Sequence, residues 1–297
     1  MNKILILLLI NALLNYVVHK KILSGNITFV NLIITSVLLV FIATKHIDIK
    51  IDDDQDNSIN EQTAYVYPII LSITILFFYF IIKKMGKFKD AILSLIFFTS
   101  IATSLCQLIN VDNTIVIGIL LGWFIFDYAT KNSHESLKVY INNVIAILVA
   151  LSSIGIIKIN KIKTGIILLI GLFFFDIFWV FGSKKVMNEG VMESVATNID
   201  APIMLKFFSN HNFRNIMILG LGDIVLPGIF IKSLSKTQYF NTSIISYIVG
   251  LVFTVASAVF FKTGQPALLY IVPSLIIPLL ASVGLKGDWG VLNKTLN

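Results

Sequence analysis

Long apolar stretches recur along almost the whole chain, and short connections that carry most of the lysines separate them. A helix that crosses a bilayer needs about 20 consecutive, predominantly apolar residues. In lipid, backbone N–H and C=O groups find partners only within helices or closed barrels. The pattern therefore predicts an all-α polytopic membrane protein, and the composition agrees, with 57% hydrophobic and only 13% charged residues.

Nine of these stretches qualify as spans, and they predict a nine-helix transmembrane bundle. They are 27–44, 64–82, 91–109, 114–129, 139–157, 164–182, 213–231, 242–261 and 266–283. Residues 1–26 hold a further hydrophobic segment, which has the character of a signal peptide, a signal anchor or an extra helix. We expect spans 1–5 in residues 27–157 and spans 6–9 in residues 158–297, with a long loop at 183–212.

The charged residues restrict the classes of partner. Lysines at the ends of apolar stretches can reach lipid headgroups, and no basic run is long enough to form a nucleic-acid groove. Alternate loops carry equal numbers of lysines, so the positive-inside rule does not decide the orientation. A single cysteine, Cys106, excludes an intrachain disulfide. No metal-ligand spacing occurs, so we expect neither a metal nor a cofactor.

Two aspartates interrupt successive apolar stretches. Asp176 lies in 164–182, and Asp223 lies in 213–231. A carboxyl group at membrane depth costs about 2.5–3.5 kcal/mol, so such residues are rare and mostly functional. Two carboxyl groups close together in a low dielectric cannot both ionise, and the pair shares a proton. We therefore predict that these side chains meet inside the membrane, where one acts as a base and the other as an acid.

Small residues and prolines surround these aspartates. Gly220 and Gly222 leave room beside Asp223 for water and for a substrate backbone, and small residues let helices approach closely. The pair Pro227–Gly228 should loosen the helix one turn later. Pro266 stands at the start of the last span, where a helix tolerates proline.

Three motifs occur in order in three separate spans: "GLFFFDIFWVFG" at 171–182, "GLGDIVLPGIF" at 220–230 and "QPALLY" at 265–270. Together they resemble the signal peptide peptidase family of presenilin-type intramembrane aspartyl proteases. The stretches "IDAPIMLKF" at 199–207 and "INNVIA" at 141–146 are also similar to segments of that family. The resemblance runs from about residue 138 to residue 285.

The resemblance implies a role for each matching residue. Asp176 and Asp223 would be the catalytic pair, Gly220 and Gly222 would shape the cleft, and the Pro-Ala-Leu segment would pack against the aspartates and receive the substrate strand. The implied active-site and substrate-binding positions are Phe175, Gly220, Leu221, Gly222, Gln265, Pro266, Ala267 and Leu268. Phe175 departs from the family, which commonly has tyrosine at this position. The resemblance therefore does not determine the rate or the substrate preference.

The resemblance implies an endopeptidase of the endoplasmic reticulum membrane. Its substrates would be transmembrane helices such as signal peptide remnants and type II membrane anchors, and its partners would include the lipid bilayer and either a second copy or a membrane degradation complex. Two alternatives use the same residues: an ion or proton transporter, and an inactive homologue that binds partners in membrane protein degradation. A prepilin-type peptidase is a weaker alternative, because it lacks the Pro-Ala-Leu element.

Overall fold

The computed structural model describes residues 2–19, 26–47, 49, 58–84, 89–109, 118, 135–183, 185, 191, 202–208, 216–261 and 265–295. Nine α-helices lie within these ranges: α1 (Asn2–His19), α2 (Asn26–His46), α3 (Glu61–Lys84), α4 (Lys89–Ile109), α5 (Glu135–Ile156), α6 (Ile162–Ile177), α7 (Gly222–Ser233), α8 (Phe240–Phe261) and α9 (Leu268–Lys286). A π-helical turn, Phe178–Gly182, extends α6, and a 3₁₀ turn, Trp289–Asn293, follows α9.

Two short strand pairs accompany the helices. Strand β1 (Ser58–Ile59) pairs in parallel with β2 (Lys158–Ile159). Strand β3 (Met204–Phe208) pairs antiparallel with β4 (Ile216–Gly220), with Met204 opposite Gly220. The apolar-stretch pattern predicted neither pair, and β3 lies within the predicted loop 183–212.

Six helices in the described ranges are long and apolar enough to cross a membrane, which confirms the predicted helical membrane protein. They are Thr28–His46, Glu61–Lys84, Leu137–Ile156, Ile162–Gly182, Phe240–Phe261 and Leu268–Lys286. Two shorter apolar helices are Lys3–Tyr16 and Ile96–Leu108. Apart from residue 118, the predicted span 114–129 lies outside the described residues, as does most of the predicted loop 183–212.

The prediction of one continuous span over 213–231 is wrong. Strand β4 ends at Gly220, and helix α7 begins at Gly222. Glycine is a poor helix former, and the preceding apolar residues pair with the backbone of β3 instead of continuing a helix. A hydropathy pattern does not distinguish a buried strand from a buried helix in such a run. Asp223 therefore lies in the first turn of a helix and not at a helix centre.

The chain forms two compact units. The first comprises Met1–Ile51, Ser94–Ile156 and Ala201–Val225. Within it, α1, α2 and α5 pack together and against β3, and a cluster around Ile101, Leu105 and Ile145 joins α4 to α5. Cys106 packs beside this cluster and is half-buried.

Amide and hydroxyl side chains hold one edge of β3 in the first unit. The Nδ2 group of Asn143 donates to the Lys206 carbonyl at 2.7 Å, and the Lys206 N–H donates to Oδ1 of Asn143 at 2.9 Å. Asn142 donates to the Met204 carbonyl at 2.8 Å, and Thr28 donates to the Phe208 carbonyl at 2.7 Å. These bonds satisfy both outward backbone groups of Lys206 and the outward carbonyls of Met204 and Phe208.

The second unit comprises Asp52–Leu93, Ile157–Asp200 and Leu226–Asn297. Its helices approach closely where glycines remove side chains. A Cβ atom on Gly250 of α8 would lie 2.8 Å from the Cα atom of Ile271 in α9. A Cβ atom on Gly171 of α6 would lie 2.7 Å from the Pro68 ring of α3. These contacts hold α6 against α3 and α9 against α8.

Candidate active site

Asp176 is buried near the end of α6, with 3% of its surface exposed. The helix changes to a π-helical turn directly after it, at Phe178–Gly182. The N–H group of Phe178 donates to the carbonyls of Phe174 and Phe175, and the π-helical turn begins at this residue, two positions after the aspartate. Single π-helical turns occur frequently at functional sites.

The carboxyl group of Asp176 accepts a hydrogen bond from the first residue of α9. The Leu268 N–H lies 3.0 Å from Oδ2 of Asp176, although 92 residues separate them in sequence. The first N–H groups of a helix have no partner within that helix, and no side chain of the N-cap residue Ala267 caps α9. Asp176 therefore caps α9 from a different helix.

The Pro-Ala-Leu segment forms the buried entry to α9. Pro266, Ala267 and Leu268 are all buried, and Gln265 before them is half-buried. The carbonyl of Ala267 accepts hydrogen bonds from the N–H groups of Tyr270 and Ile271, both at 3.1 Å. This arrangement directs the Leu268 N–H out of the helix and toward Asp176.

Thr254 and Gly250 hold this entry from α8. The hydroxyl of Thr254 lies 2.9 Å from the Gly250 carbonyl and 3.4 Å from the Ala267 carbonyl. One turn earlier, Gly250 lets the backbone of α9 pack directly on α8. Sequence reasoning missed both residues. The one signal in the sequence was Gly250 itself, a lone glycine within an apolar stretch, which is typical of a close helix contact.

Phe175 fills a packing position. Its ring centroid lies 6.4 Å from that of Trp179, and it is half-buried against a cluster that includes Tyr79 and Val191. The indole N–H of Trp179 donates to the Ser72 hydroxyl at 3.1 Å, which joins the π-helical turn to α3. The apolar ring of Phe175 therefore has partners that need no hydroxyl group.

The second aspartate follows a strand-to-helix junction. The Leu221 N–H donates to the Ile203 carbonyl at 3.0 Å, which continues the β3–β4 ladder by one bond. The Leu221 carbonyl then accepts from Ile224 at 3.1 Å and Val225 at 2.8 Å, which starts α7. Leu221 thus ends the strand and begins the helix, and Asp223 lies half-buried in the first turn.

The two glycines at this junction have different surroundings. A Cβ atom on Gly220 would lie 3.2 Å from Oδ2 of Asp223, so a side chain there would crowd the carboxyl group. Apart from its chain neighbours Leu221 and Asp223, a Cβ atom on Gly222 would have no heavy atom within 4 Å among the described surroundings. The space that Gly222 leaves beside the carboxyl group stays a prediction.

The outer edge of β4 leads directly to this junction. Because Leu221 bonds to Ile203, the ladder alternation turns the N–H and C=O groups of Ile218 away from β3. The Ile218 side chain is 54% exposed. Extended peptides add to sheets at edges of this kind through main-chain hydrogen bonds.

The predicted residues fall into two sets. Asp176, Phe175 and residues 265–268 belong to the second unit, and Asp176 contacts Leu268 there. Residues 220–223 belong to the first unit. The meeting of the two carboxyl groups stays a prediction. Within the described residues, no group of three or more His, Cys, Asp or Glu residues is arranged to hold a metal.

Sequence reasoning also missed the anchoring role of Asn142 and Asn143. Their stretch is visible as a polar pair within an apolar span, and it is similar to a family segment. Their partners are backbone groups of β3, about sixty positions later in the chain. Nothing local to the pair indicates such a partner.

Comparison with known proteins identifies similar chains. A family model described as signal peptide peptidase matches residues 103–295. Intramembrane protease 2 of Caenorhabditis elegans is 40% identical over 179 residues, covering 51% of this chain and 37% of the relative. Human signal peptide peptidase is 41% identical over 162 residues, covering 50% of this chain and 41% of the relative.

A longer match extends over most of the chain. A protein of Schizosaccharomyces pombe, named a probable intramembrane protease, is 30% identical over 271 residues, covering 84% of this chain and 88% of the relative. By contrast, the chain spans less than half the length of the worm and human relatives. The match to the fission yeast protein therefore includes much of the N-terminal half, which precedes the three motifs.

Proposed function

Because the chain belongs to the signal peptide peptidase family, we propose that it is an intramembrane aspartyl endopeptidase in which Asp176 and Asp223 form the catalytic pair. The observation that carries the proposal is the hydrogen bond from the Leu268 N–H to Asp176, 3.0 Å long. It joins two of the three sequence motifs through the carboxyl group itself.

The proposed chemistry uses the two carboxyl groups and one water molecule. The ionised carboxylate takes a proton from the water, and the water oxygen attacks the carbonyl carbon of the scissile peptide bond. The protonated carboxyl group gives its proton to the carbonyl oxygen. As the tetrahedral intermediate collapses, one of its hydroxyl groups returns a proton to the second carboxylate, the C–N bond breaks, and the amine leaves with the proton that the first carboxylate took.

The proposed substrates are transmembrane helices, namely signal peptide remnants and type II membrane anchors in the endoplasmic reticulum membrane. The amides of a helix are hydrogen-bonded and shielded, so the scissile segment has to unwind before attack. The outward groups of β4, just before Gly220, offer backbone partners for an unwound segment.

Cleavage of a model signal peptide by the purified protein in detergent tests the proposal. Asp176→Asn and Asp223→Asn each keep the size of the side chain but cannot exchange a proton. We expect each variant to lose activity by about a hundredfold or more, because one acid–base group contributes about 10²–10⁴ in rate.

Asp288→Asn is the matched control. Asp288 accepts hydrogen bonds from Tyr239 at 3.2 Å and Gln238 at 3.3 Å, beyond the C-terminal end of α9. This control should cleave at the wild-type rate. Full activity in either Asp176→Asn or Asp223→Asn would overturn the two-carboxyl mechanism.

A further inference from the structure

The π-helical turn after Asp176 ends at a buried serine. The Ser183 N–H donates to the Phe178 carbonyl, which is the i to i−5 bond of a π-helix. The Ser183 hydroxyl donates to the Trp179 carbonyl at 2.6 Å, and the Ser183 side chain is buried. Because π-helical turns are rare within α-helices, we looked for contacts from another helix that hold the turn in place.

Helix α3 supplies such a contact. The indole N–H of Trp179 donates to the Ser72 hydroxyl at 3.1 Å, and the Ser72 hydroxyl donates to the Pro68 carbonyl at 2.8 Å. A hydroxyl group has one proton, so the bond to Pro68 leaves a lone pair of the Ser72 oxygen for the indole. The two hydrogen bonds therefore run in one direction, from Trp179 through Ser72 to Pro68.

The Trp179 side chain depends on this acceptor. It is 3% exposed, and its ring packs in a cluster with Tyr79 of α3. An indole N–H can only donate, and a buried donor without an acceptor is unfavourable. The bond to Ser72 therefore fixes the ring of Trp179 on α3.

A second contact joins α3 to α6 on the other side of Asp176 in sequence. A Cβ atom on Gly171 would lie 2.7 Å from the ring of Pro68. Pro68 therefore takes part in both contacts, through its ring at Gly171 and through its carbonyl at Ser72. Helix α3 thus contacts α6 both before and after the aspartate.

Asp176 and Trp179 lie on the same face of α6. Residues three apart are neighbours on a helix surface, and both of these side chains are buried. By contrast, Phe174 and Phe178 are 63% and 50% exposed, so their rings do little to fix the rotation of the helix. A rotation of α6 that broke the bond to Ser72 would therefore also move the Asp176 carboxyl group.

We propose that Ser72 is a positioning residue for proteolysis: by holding Trp179, it sets the direction in which α6 presents the carboxyl group of Asp176. The inference rests on the proposed function of that carboxyl group. Leu268 holds the carboxyl group from α9, and Ser72 holds the helix that carries it from α3. Ser72 acts through Trp179 and takes no part in the chemistry.

Steady-state cleavage of the model signal peptide by the purified full-length protein in detergent tests this inference. Ser72→Ala and Trp179→Phe each remove the hydrogen bond, and each should lower kcat about tenfold or more, because misplacing a catalytic group by about 1 Å costs up to about 10² in rate. KM should change by less than about twofold, since neither side chain is proposed to bind the substrate. The double variant should be no slower than the slower single variant, because both changes remove the same bond.

Two further variants separate the bond from other effects of substitution. Ser72→Thr keeps the hydroxyl group and should cleave at the wild-type kcat, since a threonine hydroxyl also bonds to a carbonyl one turn earlier in a helix. The matched control is Thr74→Val on the same helix. The Thr74 hydroxyl bonds within α3, to the Ile70 carbonyl at 2.9 Å, so its loss should leave kcat unchanged.

Nuclear magnetic resonance of protein with ¹⁵N-labelled tryptophan reports the hydrogen bond without any need for activity. The chain has three tryptophans, and Trp179→Phe identifies the indole signal of Trp179 by removing it. Ser72→Ala should move that signal upfield, whereas Thr74→Val should leave it in place. Because Ser72→Ala and Trp179→Phe remove the bond from opposite sides, the kinetic test does not depend on the folding of either one.

An unmoved indole signal in Ser72→Ala, or an equal loss of kcat in Ser72→Thr or Thr74→Val, would overturn the inference. If Asp176→Asn is inactive while Ser72→Ala and Trp179→Phe cleave at the wild-type kcat, the positioning role of Ser72 is wrong and the proposed function stands. An inactive wild-type protein would overturn the proposed function and this inference together.

Discussion

Asp176 has a structural partner in addition to its proposed chemical one. Its carboxyl group supplies the acceptor that the first N–H of α9 lacks, at 3.0 Å from Leu268. An asparagine at this position would keep an oxygen acceptor of the same reach, whereas an alanine would leave the N–H unpaired in a buried place. Substitutions of Asp176 can therefore distinguish its contribution to stability from its proposed contribution to catalysis.

We predict that Asp176→Asn unfolds at or above the wild-type temperature and that Asp176→Ala is destabilised by about 1 kcal/mol, the usual cost of removing a helix cap. Thermal unfolding in detergent measures both, and both variants should be inactive. Equal destabilisation of the two variants would mean that the bond to Leu268 does not stabilise α9.

At the scale of helices and strands, apolar length predicts position well. The span predicted at 139–157 lies within the helix Glu135–Ile156 except for its last residue, and that predicted at 242–261 is part of Phe240–Phe261. The failure at 213–231 has a physical cause, because an apolar run that pairs with another strand has the same hydropathy as a helix. The hydrogen bond from Leu268 to Asp176 that caps α9 could not be predicted from the sequence either, because its donor and acceptor are 92 residues apart.

The contact between α8 and α9 makes a prediction at this scale. Gly250→Ala would place a methyl group 2.8 Å from the Ile271 Cα atom and push the two backbones apart. We expect a loss of about 1–3 kcal/mol in the free energy of unfolding, as for other overpacked contacts. Cleavage should fall as well, because Leu268 would move away from Asp176.

Gly284→Ala is the matched control on α9. Its methyl group would meet the Trp289 ring at 3.4 Å, an ordinary contact. Alanine in place of glycine within a helix stabilises by about 0.5–1 kcal/mol. Denaturant unfolding compares the two variants. Equal stability of Gly250→Ala and Gly284→Ala would show that the close contact between α8 and α9 does not require glycine at position 250.

For the whole molecule, the sequence motifs predicted the family, which the comparisons confirm, and the apolar stretches predicted the multi-pass architecture, which six long apolar helices confirm. The motifs identify the family because three separate segments of the chain have to match its pattern. The geometry between the carboxyl groups is a property of the whole chain, since Asp176 and Asp223 belong to different compact units. No local sequence pattern determines the distance between the carboxyl groups of Asp176 and Asp223, so this distance is measured directly.

Thiol crosslinking provides that measurement. With Cys106→Ser, the chain offers a cysteine-free background, because Cys106 is its only cysteine. In this background, Asp176→Cys with Asp223→Cys should form an intramolecular crosslink with a short bifunctional thiol reagent, whereas Asp288→Cys with Asp223→Cys should not. A folded double variant in which the cysteines at 176 and 223 do not crosslink would contradict the catalytic pair.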